Sequence, residues 1–200
     1  MLKTLTDDTV VAWLDIETTG LDINCDHILE VGVILTQGPD MAELARASWL
    51  TRPDGLSPAD TLGRLNEVTS RMHTESGLVA DYRAAASSVL GYSQADTALR
   101  AFLDEYAWDA RPLMGGSSIS FDRSFLEQHL PASFSRLHYR SIDMTSVSYF
   151  TASVVPLPQV PPQGTAHRAL GDLEQNICQW RAYRAQLMTM STHTSVGVCS

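Results

Sequence analysis

Val10-Val11-Ala12-Trp13-Leu14-Asp15-Ile16-Glu17-Thr18-Thr19-Gly20-Leu21-Asp22 is the stretch from which the fold is read. The run from Val10 to Leu14 is apolar and rich in β-branched and aromatic residues, the pattern of a buried strand. Side chains alternate faces along a strand, so Asp15 and Glu17 project to the same side. Two carboxylates at the end of a buried strand are costly if they face nothing, and they repel each other unless a cation lies between them. Hard divalent cations favour such an all-oxygen site. The plainer alternative is a polar strand end that runs into a turn at Gly20.

Outward from this stretch, residues 27–36 (HILEVGVILT) and 47–52 (ASWLTR) read as two more strands. Their links are short, and Gly38-Pro39-Asp40 is a turn signal, so the three strands suggest an antiparallel meander. Pro53 to Pro58 is a loop in which Ser57 can cap a helix starting at Pro58. Helical patterns follow at about 58–70, 74–90 and 93–107, with Ser93 as a cap for the third. Residues 111–116 read as a short strand ending in a glycine turn. Ser118 or Ser120 then caps a helix that carries Asp122, with Phe121 and Phe125 on one apolar stripe. Residues 138–144 read as a further strand, and 151–164, with four prolines, as a loop. A last helix spans about 165–188, with Leu170, Leu173, Ile177 and Trp180 at helical spacing. From Thr189 the pattern stops, which predicts a poorly ordered tail over 189–200 after a single domain over 1–188. The order of elements predicts an α/β domain with a mixed sheet and helices on both faces.

Two hundred residues are ample for one real core. No apolar run approaches a membrane span of roughly 20 residues, and Met1 to Asp8 lacks the apolar core of a signal peptide. The three cysteines, Cys25, Cys178 and Cys199, are odd in number and lack metal-type spacing, so reduced thiols and a cytoplasmic location are expected. A net charge of −9 argues against non-specific gripping of long nucleic acid. It leaves room for an enzyme that holds one or two phosphates through metal ions in an acidic cleft.

Three acidic segments carry the chemistry. They are Asp15 with Glu17, Asp122 within GSSISFDRSFL, and His167 with Asp172 within GTAHRALGDLE. Asp122 and Asp172 each lie near a predicted helix start, where the macrodipole alone would favour an acid. His167 and Asp172 are five apart, which places them on different faces of an ideal helix. A histidine in the first turn or the loop before it, with the aspartate one turn deeper, lets both address one site.

Taken together, Asp15-Ile16-Glu17-Thr18-Thr19-Gly20-Leu21, Asp122, and His167 with Asp172 resemble the DEDDh exonucleases. The segments Met72-His73-Thr74-Glu75-Ser76-Gly77-Leu78, His138-Tyr139-Arg140-Ser141-Ile142-Asp143-Met144 and Gly164 to Asp172 narrow the resemblance to the oligoribonuclease family. It extends from about Trp13 to Arg184. It implies an RNase H-like fold with a central mixed five-stranded sheet. It also implies 3′-to-5′ hydrolysis of short single-stranded oligoribonucleotides, down to dinucleotides, to nucleoside 5′-monophosphates by a two-metal mechanism. Asp15, Glu17 and Asp172 would hold one Mg²⁺, with Mn²⁺ as a substitute, and Asp15 would bridge to a second ion. Asp122 would position the attacking water or support the second ion. His167 would be the general base, since an imidazole's ordinary pKa of about 6.5 lies near working pH.

On the substrate side, the resemblance implies Leu21 as a wedge against terminal bases and contacts from Ser118 and His73. Tyr139 and Arg140 would complete a 5′-phosphate pocket across a homodimer. The bland readings are turn packing for Leu21, a core aromatic for Tyr139 and a solvated charge for Arg140. The chain departs from the family at Val68, where many relatives carry an aromatic residue, and at Ser148, where many carry lysine. Its 151–164 loop also lacks their basic character. These departures leave the metal chemistry intact, bear on the 5′-phosphate pocket and the length preference, and suit a divergent or virus-borne member. Two other functions share the pattern: a DNA-directed exonuclease of the proofreading or repair type, and a catalytically silent nucleic-acid-binding module on the same fold.

Overall fold

β1 (Val10–Thr18) runs through the interior of a six-stranded sheet with the order β4-β3-β2-β1-β5-β6. The computed structural model describes residues 5–106, 111–164 and 166–194, and of 191–194 the backbone only. β1, β2 (Ile28–Gln37) and β3 (Ala42–Arg52) form the expected antiparallel meander. The remaining strands, β4 (Leu90–Gly91), β5 (Leu113–Gly116) and β6 (Ser141–Asp143), pair in parallel with β3, β1 and β5 respectively. The sheet is therefore mixed, as expected, but among the described residues it has six strands rather than five. The additional strand, β4, is two residues long, too short to show an alternating pattern.

Alternation along β1 divides the core into two layers. Ala12, Leu14 and Ile16 pack with Leu99 and Leu103 of α4 (Tyr92–Tyr106) and with Phe125 and Leu126 of α5 (Ser120–His129). Val11 and Trp13 face the other way. They pack with Met144 of α7 (Met144–Val154) and with Leu173, Ile177 and Tyr183 of α8 (Ala169–Thr194). Helices thus cover both faces. Asp15 and Glu17 continue the odd-numbered series, so they open toward the α8 side. No helix of the described residues is long and apolar enough to cross a membrane.

The helical region after β3 is more broken than its periodicity suggests. The stretch 58–70 divides into α1 (Pro58–Leu62), capped by Ser57 as expected, and α2 (Glu67–Glu75). The division lies at Asn66, whose side chain forms a reciprocal capping box with Thr69. The stretch 74–90 is interrupted at Gly77, which sits at φ 82° ahead of α3 (Leu78–Ala84). Ser93 does not cap α4. Instead, its N–H and hydroxyl both donate to Asp54 Oδ2. Neither Ser118 nor Ser120 caps α5, which has no side-chain cap.

Further along, a short α6 (Pro131–Phe134) precedes β6. The strand expected over 138–144 contracts to three residues because Asp143 caps a helix, accepting the N–H of Thr145 at 2.9 Å. The resulting α7 occupies the first part of the expected proline loop. α8 starts at Ala169 rather than 165 and continues to Thr194, past the expected end at 188. Residues 195–200 of the expected tail lie outside the described residues.

α8 can sit this low on the sheet because β2 offers no side chain beneath its first turn. A Cβ on Gly32 would lie 2.7 Å from the Cβ of Ala169 and 3.1 Å from its carbonyl carbon. Gly32→Val should therefore force the helix off the sheet and destabilise the fold by about 1–3 kcal/mol. Denaturant titration should show this as a lower midpoint at unchanged slope.

Candidate active site

The site forms where β1 and β5 part. Their parallel pairing ends at Trp13 and Gly115, and at Gly116 the chain turns away toward α5. The backbone N–H of Ile16, beyond that last pair, donates to Asp122 Oδ1 at 3.1 Å. Asp122 is buried in the first turn of α5, so the helix places its carboxylate between the backbone positions of Asp15 and Glu17. The carboxyl ends of strands in an open sheet, where neighbouring strands diverge, are the usual place for a ligand crevice.

From the other layer, α8 brings Asp172 in its first turn. Ligand oxygens of Asp15, Glu17 and Asp172 all lie within 4.8 Å of one another, close enough for one cation to touch all three. His167 lies just ahead of the helix, exposed, at φ 57°, a conformation uncommon for a non-glycine residue. Its N–H donates to Asp172 Oδ2 at 3.1 Å, so the aspartate's other oxygen remains for the cluster. The structure thus brings together Asp15, Glu17, Asp122, His167 and Asp172 from three distant segments.

The electrostatics of the cluster favour a cation. Burial, then the charges of Asp122, Glu17, Asp172 and Glu30, push Asp15 well above the carboxylate range. Glu17 is pushed to about 8 by burial, then by Asp172 and Glu30, with Arg168 opposing. Asp122 is pushed to about 7, mainly by burial, although two backbone N–H groups oppose the shift. Asp172 is raised by burial and lowered by His167. Groups that would rather be neutral than share one space as anions are the donor set a hard divalent ion stabilises.

The substrate contacts expected from the sequence fare differently. Leu21 is 83% exposed at the tip of a rigid turn. Asp26 braces that turn, accepting from the Thr19 hydroxyl and from the Asp22 N–H, each at 2.9 Å. A Cβ on Gly20 would lie 2.4 Å from Asp26 Oδ2, which explains the glycine. Ser118 is exposed at φ 50°, and its N–H donates to Thr145 Oγ1 at 3.0 Å and to Asp143 Oδ1 at 3.2 Å. Tyr139 is 72% exposed, stacks on His138, and has the Arg140 guanidinium 5.0 Å from its ring centroid. These two residues contact each other rather than the acidic cluster.

His73 requires correction. Its ring is fully buried and offers no atom to a substrate. Thr69 and His73, four apart on α2, face the end of β1, where the Thr69 hydroxyl donates to Thr19 O at 2.9 Å. Nε2 of His73 lies 2.8 Å from Thr18 O, which makes it the donor nitrogen. Nδ1 has no hydrogen-bond partner and lies 3.7 Å from Glu17 Oε2. Burial lowers the pKa of the ring. His73 therefore packs behind Glu17 and is anchored to the Thr18 carbonyl.

Two residues at the site, Glu30 and Arg168, were assigned no role by the motif reading, although Arg168 lies within the last motif. Glu30, buried on β2 directly across from Glu17, accepts both arms of the Arg168 guanidinium at 3.1 Å. The available clue was a lone acid inside an otherwise apolar strand.

A scan against profiles of known protein families returned no match. The chain is 32% identical over 204 residues to an oligoribonuclease of Corynebacterium efficiens, covering 96% of this chain and 85% of that one. It is 31% identical over 173 residues to an oligoribonuclease of Pseudomonas aeruginosa, covering 86% of this chain and 92% of that one. Among solved structures it resembles Escherichia coli exonuclease I in complex with a dT13 oligonucleotide, with a TM-score of 0.65 and 14% identity over 93% of this chain. An exonuclease I from Methylocaldum szegediense gives a TM-score of 0.64 at 17% identity over 89% of this chain. The chain spans 43% and 41% of those two structures, respectively, and the likeness establishes the fold alone.

The raised carboxylates have a consequence for stability. An acid whose pKa is higher in the folded than in the unfolded state holds extra protons when folded, so stability falls as pH rises between the two values. For Glu17 that window runs from its ordinary 4.5 to about 8. In a chelator, the melting temperature should drop between pH 5 and pH 8.5. Millimolar Mg²⁺ should restore it, with a larger gain at pH 8 than at pH 5.5. A flat chelated profile would show that burial and crowding do not raise these acids in the folded state.

Proposed function

The chain belongs to the oligoribonuclease family, and from that premise we propose that it hydrolyses short single-stranded oligoribonucleotides from the 3′ end, down to dinucleotides. Each step releases a nucleoside 5′-monophosphate. The observation that carries this reading is the convergence of Asp15, Glu17 and Asp172 within one ion's reach, with Asp122 and His167 beside them.

Asp15, Glu17 and Asp172 would hold one Mg²⁺, and Asp15 with Asp122 would serve a second, with Mn²⁺ as a substitute. Bound there, the ions neutralise the charge that develops on the scissile phosphate and lower the pKa of the attacking water. His167 stands outside the carboxylate cluster, exposed to solvent, where an imidazole nitrogen can take the proton from that water. Its backbone bond to Asp172 ties the base to the cluster it serves. Water attacks the terminal phosphorus, the bond to the preceding 3′ oxygen breaks, and that oxygen regains a proton.

Leu21, projecting from its braced turn, would wedge against the terminal base, and the Ser118 hydroxyl would contact the 3′ end. Tyr139 and Arg140 would reach the 5′ phosphate of a substrate held by a second copy, which requires a homodimer. Exposed Tyr149, Phe150 and Val154 on α7 support such an association, because apolar side chains this open favour cover. Ser148 and Val68 predict a looser hold on the 5′ end than a lysine and an aromatic ring would give. We place the protein in the cytoplasm, where Cys25 and Cys178 remain reduced.

The test is turnover of a 5′-labelled diribonucleotide, its deoxy counterpart and a ribo-20-mer in Mg²⁺. The diribonucleotide should disappear fastest per molecule, and Asp15→Asn should abolish turnover of all three. Faster loss of the 20-mer would remove the short-substrate reading. Equal loss of the deoxy dinucleotide would favour the DNA-directed alternative.

A further inference from the structure

Arg168 follows His167 directly and connects three elements. Its Nε and Nη2 donate to the two oxygens of Glu30, both at 3.1 Å, and its Nη1 donates to Asp81 Oδ2 on α3 at 2.7 Å. Glu30 is 3% exposed, and its Oε2 also accepts the backbone N–H of Ala169 at 3.2 Å. One buried carboxylate on β2 therefore holds both the guanidinium and the first N–H of α8. With both oxygens engaged in this way, Glu30 is no member of the carboxylate cluster that can share an ion. A two-pronged Arg–carboxylate pair fixes the plane of the guanidinium as well as its distance.

The turn before the clamp is fixed as well. Gly164, at φ 59°, crosses the start of α8 so closely that a Cβ there would lie 2.6 Å from Gly171 Cα. On the other side Ala169 is seated over Gly32. His167 lies between these anchors in a left-handed conformation that a non-glycine residue leaves when nothing holds it.

We propose that Arg168, acting through Glu30, is a positioning residue. It locks the turn that carries His167 onto β2, and its contribution to turnover passes through the imidazole. The Asp81 arm braces the outer side of the guanidinium. The proposal rests on His167 being the general base.

The experiment is a double-mutant cycle on the full chain, with diribonucleotide turnover measured at saturating Mg²⁺. Arg168→Gln should lower kcat by about 10²-fold, the usual cost of a catalytic group displaced by an ångström, while KM changes by less than about threefold. In the His167→Ala background the same substitution should change kcat by less than about threefold, because the group it positions is gone. Arg168→Lys keeps the charge but loses the fork, which secures a folded variant. It should lose roughly tenfold in kcat alone and nothing further beside His167→Ala. Equal fold losses in both backgrounds, for either substitution, would overturn the proposal and leave Arg168 a purely structural residue. Wild-type turnover by His167→Ala alone would instead remove the base assignment, and the positioning role with it.

Discussion

The cost of gathering four carboxylates at the end of β1, Glu17 and Asp122 buried and Asp15 and Asp172 half-buried, is the constraint on which this molecule turns. Asp15, Glu17, Asp122 and Asp172 all have their pKa values raised, burial being the largest cause for each. Left to themselves they would take up protons or push the elements apart. A divalent ion inverts that balance, because each raised pKa becomes affinity for the ion. The fold must therefore hold the acids together by means other than their own interactions, and it does so with uncharged backbone and close packing.

Those means are visible on each side of β1. Asp122 is held by the Ile16 N–H, which lies past the last β1–β5 pair. Asp172 is held by the seat of α8, which the bare backbone of Gly32 permits. Behind Glu17, α2 presents Thr69 and His73 to the carbonyls of Thr19 and Thr18. Among the described residues, the cation built into this back wall is Arg168, and Glu30 absorbs much of its charge. The acids of the cluster thus meet no cation that would neutralise them directly, and their negative charge is left for an ion to balance.

Much of this was legible in the residues. The apolar run before Asp15, the meander and the ordered acids specify the sheet and the site, because strand alternation and helix starts are local features. His73 was misassigned because a motif records which residue recurs and not which way it faces. Its burial follows from the turn of α2 that also carries Thr69. Glu30 and Arg168 escaped for a related reason, since they are 138 residues apart and their pairing exists only once α8 lies across β2. The helix ending at Val154 was hidden because Asp143 reads equally well as a strand end or as a cap.

Charge bears on substrate length. All but one of the 14 basic residues are arginine, and many of these are engaged within the chain. Arg46 pairs with Glu43 and Glu174, Arg100 and Arg136 share Asp104, Arg168 holds Glu30 and Asp81, and Arg184 meets Asp40. Arg52 and Arg181 donate to backbone carbonyls. Affinity for a long strand grows with each phosphate that basic side chains neutralise, through release of condensed counterions. A surface with a net charge of −9 and so many of its arginines already paired gains little from a second, third or fourth phosphate. On the proposed reading, binding would then come from what is local: ions at the scissile phosphate, a wedge at one base and a contact at the end. A substrate that offers only those groups loses nothing by being short, whereas a longer one brings its remaining phosphates against a like-charged surface.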